Sequence, residues 1–367
     1  MSEQERPVPE AASSMAEPGT GPGTPRTTLR SRAASAARWE VLLLMILGLL
    51  VLEGTQLSRF FLTGGNFANL TSAVMEVSIM ALPMTLIIVT GEIDLSIESM
   101  VGLSSAILGF LWAAGVPLEL GIPIVLVVGA LGGLLNGVLV ARVGMPSLVV
   151  TLGTLALFRG LASVVLGPKH ISDFPSGFTA FGFRNIPGSF IPWTLVVFVV
   201  LASIFWVVTH GTWVGREVFA VGKNKNTARF SGVRVATLKT GLFVLSGLVA
   251  ALAGVILTSR FSSAAADNGT GLTLTVVTIV LLGGVDINGG KGTIPGVIIA
   301  AFTLAVLQSA LRLAGVSSEY QNVAIGLLLI ISVTAPYLAR QSRVFADRVL
   351  AGRPPPTGSV TPGEVVG

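Results

Sequence analysis

The sequence predicts an all-α polytopic membrane protein of about ten transmembrane helices, and three observations lead there. Of 367 residues, 52% are hydrophobic and 11% charged, against roughly 25% charged in an ordinary soluble domain. Apolar stretches such as 41–57, 122–140 and 192–209 approach or exceed the roughly 17–25 residues that cross a hydrocarbon core. The stretches are solidly apolar rather than alternating, which excludes barrel strands and leaves helices that satisfy their own backbone in lipid.

Taken in order, residues 1–38 are rich in Ser, Ala, Pro and Gly and end in Arg26, Arg30, Arg32 and Arg38. They are expected to form a disordered cytoplasmic tail. No small-residue cleavage site follows the 41–57 run, so that run reads as an uncleaved first span. Ten spans are expected, near 41–57, 69–90, 95–114, 121–140, 147–167, 191–209, 240–259, 272–284, 293–312 and 319–338. The eighth is too short to cross alone, which predicts a broken or re-entrant helix, or an extension into the preceding polar segment. The permease domain is thus expected over 39–339, and 340–367, with Pro354, Pro355 and Pro356, as a second disordered cytoplasmic tail.

With both termini inside, the cytoplasmic segments hold 17 of the 23 Lys and Arg, as the positive-inside rule requires. The net charge of +5 therefore follows membrane topology and implies no nucleic-acid partner. The 44 glycines suit helices that approach closely, and Gly129, Gly133 and Gly137 fall on one side of a helix as a packing groove. Cysteine is absent, and His170 and His210, both read as loop residues, have no carboxylate at ligand spacing; no metal site and no catalytic residue is expected.

Two segments carry functional signal. In 90–98, Glu92, Asp94 and Glu98 stand between apolar runs. Charges at membrane depth usually face a cavity or a partner, so the segment is either a helix break lining a path or an interfacial turn meeting solvent. Glu76 and Arg159 are further charges inside apolar runs. The sequence from Gly215 to Gly232 is long and basic; Asn226 can cap a short helix and Gly232 close it, with Phe219, Val221 and Phe230 as an apolar side. It either docks in a soluble partner or lies on anionic lipid. An echo between Gly91–Leu95 and Gly283–Ile287, offset by 192, suggests duplicated halves.

Four segments in order resemble the motif series of monosaccharide-type ABC permeases: Gly91 to Ser96; Met145 to Thr154 with Arg159-Gly160; Gly215 to Gly232; and Gly283 to Thr293. The resemblance spans about 40–338. It implies the permease fold of ATP-driven importers, with a second permease copy or paralogue, an ATPase subunit carrying ATP and Mg, an extracytoplasmic sugar-binding protein, and a place in the inner membrane. It implies a translocation path at Glu92, Asp94, Ser96, Thr151 and Asn288. It further implies ATPase coupling through the cytoplasmic segment 211–239, at Arg216, Glu217, Gly222, Arg229, Phe230 and Gly232, with Glu76 and Arg159 as structural intramembrane charges. The family more often reads Gly-Gly-Ile-Asp-Leu-Ser where this chain has Glu92, a charge whose partner the sequence does not name. Residues 311–318 with Gln321 and Asn322 resemble rhamnose- and autoinducer-2-type members more than ribose-type ones. No phosphate-binding loop is present, since Gly290 stands where its lysine should be after Gly284 and Gly289, so the chain is expected to be a transport subunit rather than an enzyme. The rival reading, an ion-coupled secondary transporter of a small polar solute, rests on Glu76, Glu92, Asp94 and Arg159.

Overall fold

A computed structural model describes residues 29–332 and 334. Among them the regular elements are all helices, joined by short non-helical segments with two isolated β-bridges. In order run α1 (Leu29–Leu57), α2 (Gly64–Val89), α3 (Ile97–Ala113), α4 (Leu118–Val138), α5 (Ser147–Leu166), α6 (Ser176–Phe183) and α7 (Trp193–Gly211). Then come α8 (Trp213–Lys223), α9 (Lys225–Phe230), α10 (Val235–Phe261), α11 (Leu272–Leu282), α12 (Ile294–Leu313) and a helix over 318–332, here α13. Each expected span meets a helix, and seven described helices are long and apolar enough to cross a membrane. Residues 1–28 and the tail expected at 340–367 lie outside the described residues. The first boundary moves: α1 starts at Leu29, ten residues inside the expected tail, because the Ala-rich stretch after Leu29 favours helix.

Local chemistry sets the ends. Thr63 and Thr293 accept the Asn66 and Gly296 amides at the starts of α2 and α12. Prolines 117, 146 and 192 stand just before α4, α5 and α7, since a proline fixes its own φ and biases the preceding residue away from helix.

The core centres on α2 and α10, whose most apolar stretches are 89% and 72% buried, against 11% in α1. The expected glycine groove is what lets α4 reach α10. Gly129 faces Gly247 and Ala251, Gly133 lies on the Phe243 backbone, and Gly137 on Thr240. A Cβ at Gly133 would collide with the Phe243 carbonyl, so no larger residue permits this approach.

Two helices are shorter than a span. The 11 residues of α11 reach about 16 Å, roughly half of a hydrocarbon core. The eighth span is therefore a broken helix, preceded by non-helical chain over 262–271. Likewise α3 follows a non-helical break over 90–96. One end of the bundle carries α8, α9 and the glycine-rich turn 283–293. The other carries α6 and the antiparallel bridge between Ile171 and Ala264.

Candidate functional site

The break before α3 begins at the α8/α9 end and runs inward. At its start three motifs meet: the Gly290 amide donates to the Val89 carbonyl at 2.8 Å, and Gly222, at the end of α8, sits against both. A Cβ at Gly222 would strike the Val89 carbonyl. Gly222 thus packs α8 against the end of α2. Gly91 at this junction has φ 78°, the left-handed conformation that glycine adopts without a Cβ penalty. Gly284, not Gly283, repeats it with φ 84° after α11, so the structural echo between the two breaks has an offset of 193 rather than 192.

Beyond Gly91 the break is held against α10 like a zip. Glu92 is ion-paired with Lys239 near the start of α10. Lys239, at the end of the segment expected to be cytoplasmic, is 4% exposed, because the half-buried Glu92 carboxylate paired with it makes burial tolerable. Asp94 comes next: its Oδ1 accepts the Ser96 amide at 3.0 Å and the Ser96 hydroxyl at 2.6 Å, and its Oδ2 accepts the Ser246 hydroxyl at 2.8 Å. Asn136 of α4 donates to the Ser96 hydroxyl at 2.8 Å. Ser246 lies roughly 16 Å along α10 from its start, so Asp94 and Ser96 sit at mid-depth. Further along, Ser105 of α3 accepts from Thr258 of α10 at 2.8 Å.

Asp94, Ser96 and Thr151 are all buried. The N-terminal turn of α5 steadies the same break: the Ile93 amide donates to the Ser147 hydroxyl at 3.2 Å, and the Thr151 hydroxyl lies 3.4 Å from the Ile93 carbonyl. The break is therefore a braced, internally hydrogen-bonded strut and not an interfacial turn meeting solvent. Asn288 is not brought to this cluster. It is exposed in the 283–293 turn, bonded to Asp286, beside a cavity of about 660 Å³ lined also by Trp39, Phe219 and Lys223.

The remaining intramembrane charges are paired. Glu76 of α2 accepts Arg260 of α10 at 2.7 Å, and Glu98 accepts Arg159 of α5 at 2.7 Å. Glu98 also accepts the Gly271 and Thr273 amides at 3.1 Å each, which places a carboxylate on the N-terminus of α11 where helix dipole and orphan amides favour it.

The segment expected to couple forms two helices. α8 is amphipathic, burying Val218 and Val221. α9 is capped by Asn224, whose side chain accepts the Thr227 amide at 2.9 Å; Asn226, expected as the cap, lies inside the helix. Gly232, with φ 90°, follows the helix end. Val221 packs with Ala228 and Val235, whereas Phe230, expected on the same apolar side, is 92% exposed. Arg216 and Arg229 are exposed and Glu217 half-buried. His210, expected in a loop, ends α7 and stacks on Trp206.

Sequence reasoning missed Asn136, Ser246 and Lys239 as partners of the break. Their signal was polarity within otherwise apolar runs, visible in the sequence but without a pairing.

The model of the family described as "Branched-chain amino acid transport system / permease component" matches residues 66–333. The "Autoinducer 2 import system permease protein LsrD" of Yersinia enterocolitica is 38% identical over 307 residues, covering 80% of this chain and 90% of that protein. The protein of the same name from Yersinia pseudotuberculosis is 38% identical over 269 residues, covering 72% and 80%. No solved structure matches the chain. The helical architecture, the braced break and a family match over most of the membrane domain agree: this chain is a multi-pass membrane permease and belongs to the family of branched-chain amino acid transport system permease components.

Proposed function

We propose that this chain is the membrane-spanning subunit of an ATP-driven importer in the cytoplasmic membrane, both termini inside, and that it translocates a monosaccharide. The named relatives are autoinducer-2 import permeases, so autoinducer-2, rhamnose and ribose are the first solutes to test. An extracytoplasmic binding protein delivers the sugar, a second permease copy or a paralogue completes the pore, and a separate ATPase subunit holds ATP and Mg. Glu92, Asp94, Ser96 and Thr151 belong to the moving wall of the path.

The observation that carries this reading is Phe230. An aromatic ring 92% exposed at the tip of a short capped helix, flanked by the exposed Arg229, suits insertion into a protein groove. The helix behind it is fastened through Gly222 to α2 and the break, so force on α9 has a rigid route to Asp94. Of the charges on which ion coupling would rest, Glu76, Glu92 and Arg159 each hold a partner of opposite charge, and Asp94 is engaged by Ser96 and Ser246.

The test is co-purification of the ATPase with Phe230→Ala and Arg229→Glu variants. Truncating a buried interface anchor costs about 2 kcal/mol, roughly a thirtyfold loss of affinity. Full retention of the ATPase and of sugar-stimulated hydrolysis by both variants refutes the assignment.

A further inference from the structure

At the end opposite α8 and α9, a cavity of about 610 Å³ opens between the end of α5 and the 262–271 segment, lined by Arg159, Ser163, Lys169, His170, Asp267 and Thr270. Its size lies within the range of small-molecule sites, roughly 300–1,000 Å³. None of these residues belongs to the break described above, and a tie runs between the two: Arg159 holds Glu98, which caps α11.

The chemistry of the lining is specific. Arg159 spends one guanidinium nitrogen on Glu98, and its side chain stays 45% exposed. A guanidinium offers five N–H donors in a planar fork, so donors remain beyond the one that Glu98 takes. In the same lining, the Asp267 carboxylate makes no hydrogen bond or ion pair among the described residues, nor does the Lys169 ammonium. Thr270 and Ser163 hydroxyls, engaged as donors to backbone carbonyls, keep acceptor lone pairs. A lining that combines donors from Arg159 and Lys169 with the acceptor-only Asp267 suits groups that both give and take hydrogen bonds, which describes hydroxyls. A phosphorylated or acidic solute would gain Arg159 and Lys169 but meet Asp267 and, behind Arg159, Glu98.

We propose that this cavity is a solute-binding subsite of the permease itself, selecting an uncharged polyhydroxylated molecule through Arg159 and Asp267 as the solute enters. The proposal deepens the sugar-import reading and rests on it. It departs from a permissive path in which the binding protein alone sets specificity.

The test is saturation-transfer NMR on the full chain in nanodiscs, with L-rhamnose, D-ribose and D-ribose 5-phosphate as probes. Transfer to at least one neutral sugar is expected, with the phosphate weaker. Asp267→Asn and Arg159→Lys should each lower affinity about tenfold, the worth of one or two charge-assisted hydrogen bonds, and Thr270→Val should lower it less. Size-exclusion profiles and thermal unfolding identify any variant that has merely failed to fold; the exposed Thr270 keeps the test open in that case. Absence of transfer to both neutral sugars, preference for the phosphate, or equal binding by all folded variants overturns the proposal. ATP-driven uptake by the complete complex is measured alongside: uptake with a silent cavity sinks the subsite alone, whereas no uptake of any sugar sinks the import reading with it.

Discussion

Glu92, in the break after α2, is ion-paired with Lys239, 147 positions away on α10. The pair supplies the partner that Glu92 demands. Lys239 is 5% exposed in its side chain and Glu92 18%, so removing one partner strands a charge with little access to water. Lys239→Met should destabilise the protein by about 3 kcal/mol, and the double variant with Glu92→Gln should recover most of that loss. Unfolding midpoints of the purified variants decide; an additive double variant would mean that the two side chains do not depend on one another.

Asp94 accepts three hydrogen bonds from two serines. Asp94→Ala leaves those donors buried with no acceptor, at about 1–3 kcal/mol each, and loosens the break at mid-depth. Transport in the reconstituted complex should fall at least about tenfold, which corresponds to only 1.4 kcal/mol, while the binding protein keeps its affinity for sugar. Ser246→Ala removes a single donor and should cost less. Wild-type transport by Asp94→Ala would place the path elsewhere.

Gly222 has no room for a side chain beneath the Val89 carbonyl and Gly290. Gly222→Val should push α8 away from the end of α2 while leaving Phe230 exposed on α9. The expected phenotype is separation of two functions: the ATPase still co-purifies, but its hydrolysis no longer responds to sugar-loaded binding protein. A variant that responds normally would show that force does not pass through this junction.

The helices were legible because apolar runs of span length have few alternatives in lipid. The shortness of the run at 272–284 and the acids at 90–98 marked the two places where helix gives way. The glycine groove of α4 was also legible, since four-residue spacing fixes a helix face whatever lies opposite. What could not be read was pairing. Lys239 follows a basic loop in sequence and was grouped with it, although the start of α10 at Val235 carries it into the core. Asn224 and Asn226 are chemically equal caps, and only the path of the chain leaving α8 selects the first. Asn288 shares a motif style with Asp94, yet its turn stays at the bundle's end because Gly289 and Gly290 fold back on Val89 and Gly222. The cavity at Arg159 joins residues about a hundred positions apart, and no local pattern announces Asp267.

The strut from Gly91 to Ser96 also constrains how the chain can be built during synthesis. From Ile93 inward its amides leave the helical ladder, those of Ile93 and Ser96 being held by the Ser147 and Asp94 side chains instead, and exposed backbone of that kind is not tolerated in hydrocarbon. Two of its anchors, Lys239 and Ser246, are on α10, about 150 residues later, so they emerge from the ribosome only after four further apolar helices. The first third of the protein consequently cannot complete its fold as it leaves the translocon, and α3 must be held in a shielded, unfinished position until α10 arrives. Chains truncated before residue 235 should therefore be degraded even though they carry several perfectly good membrane spans.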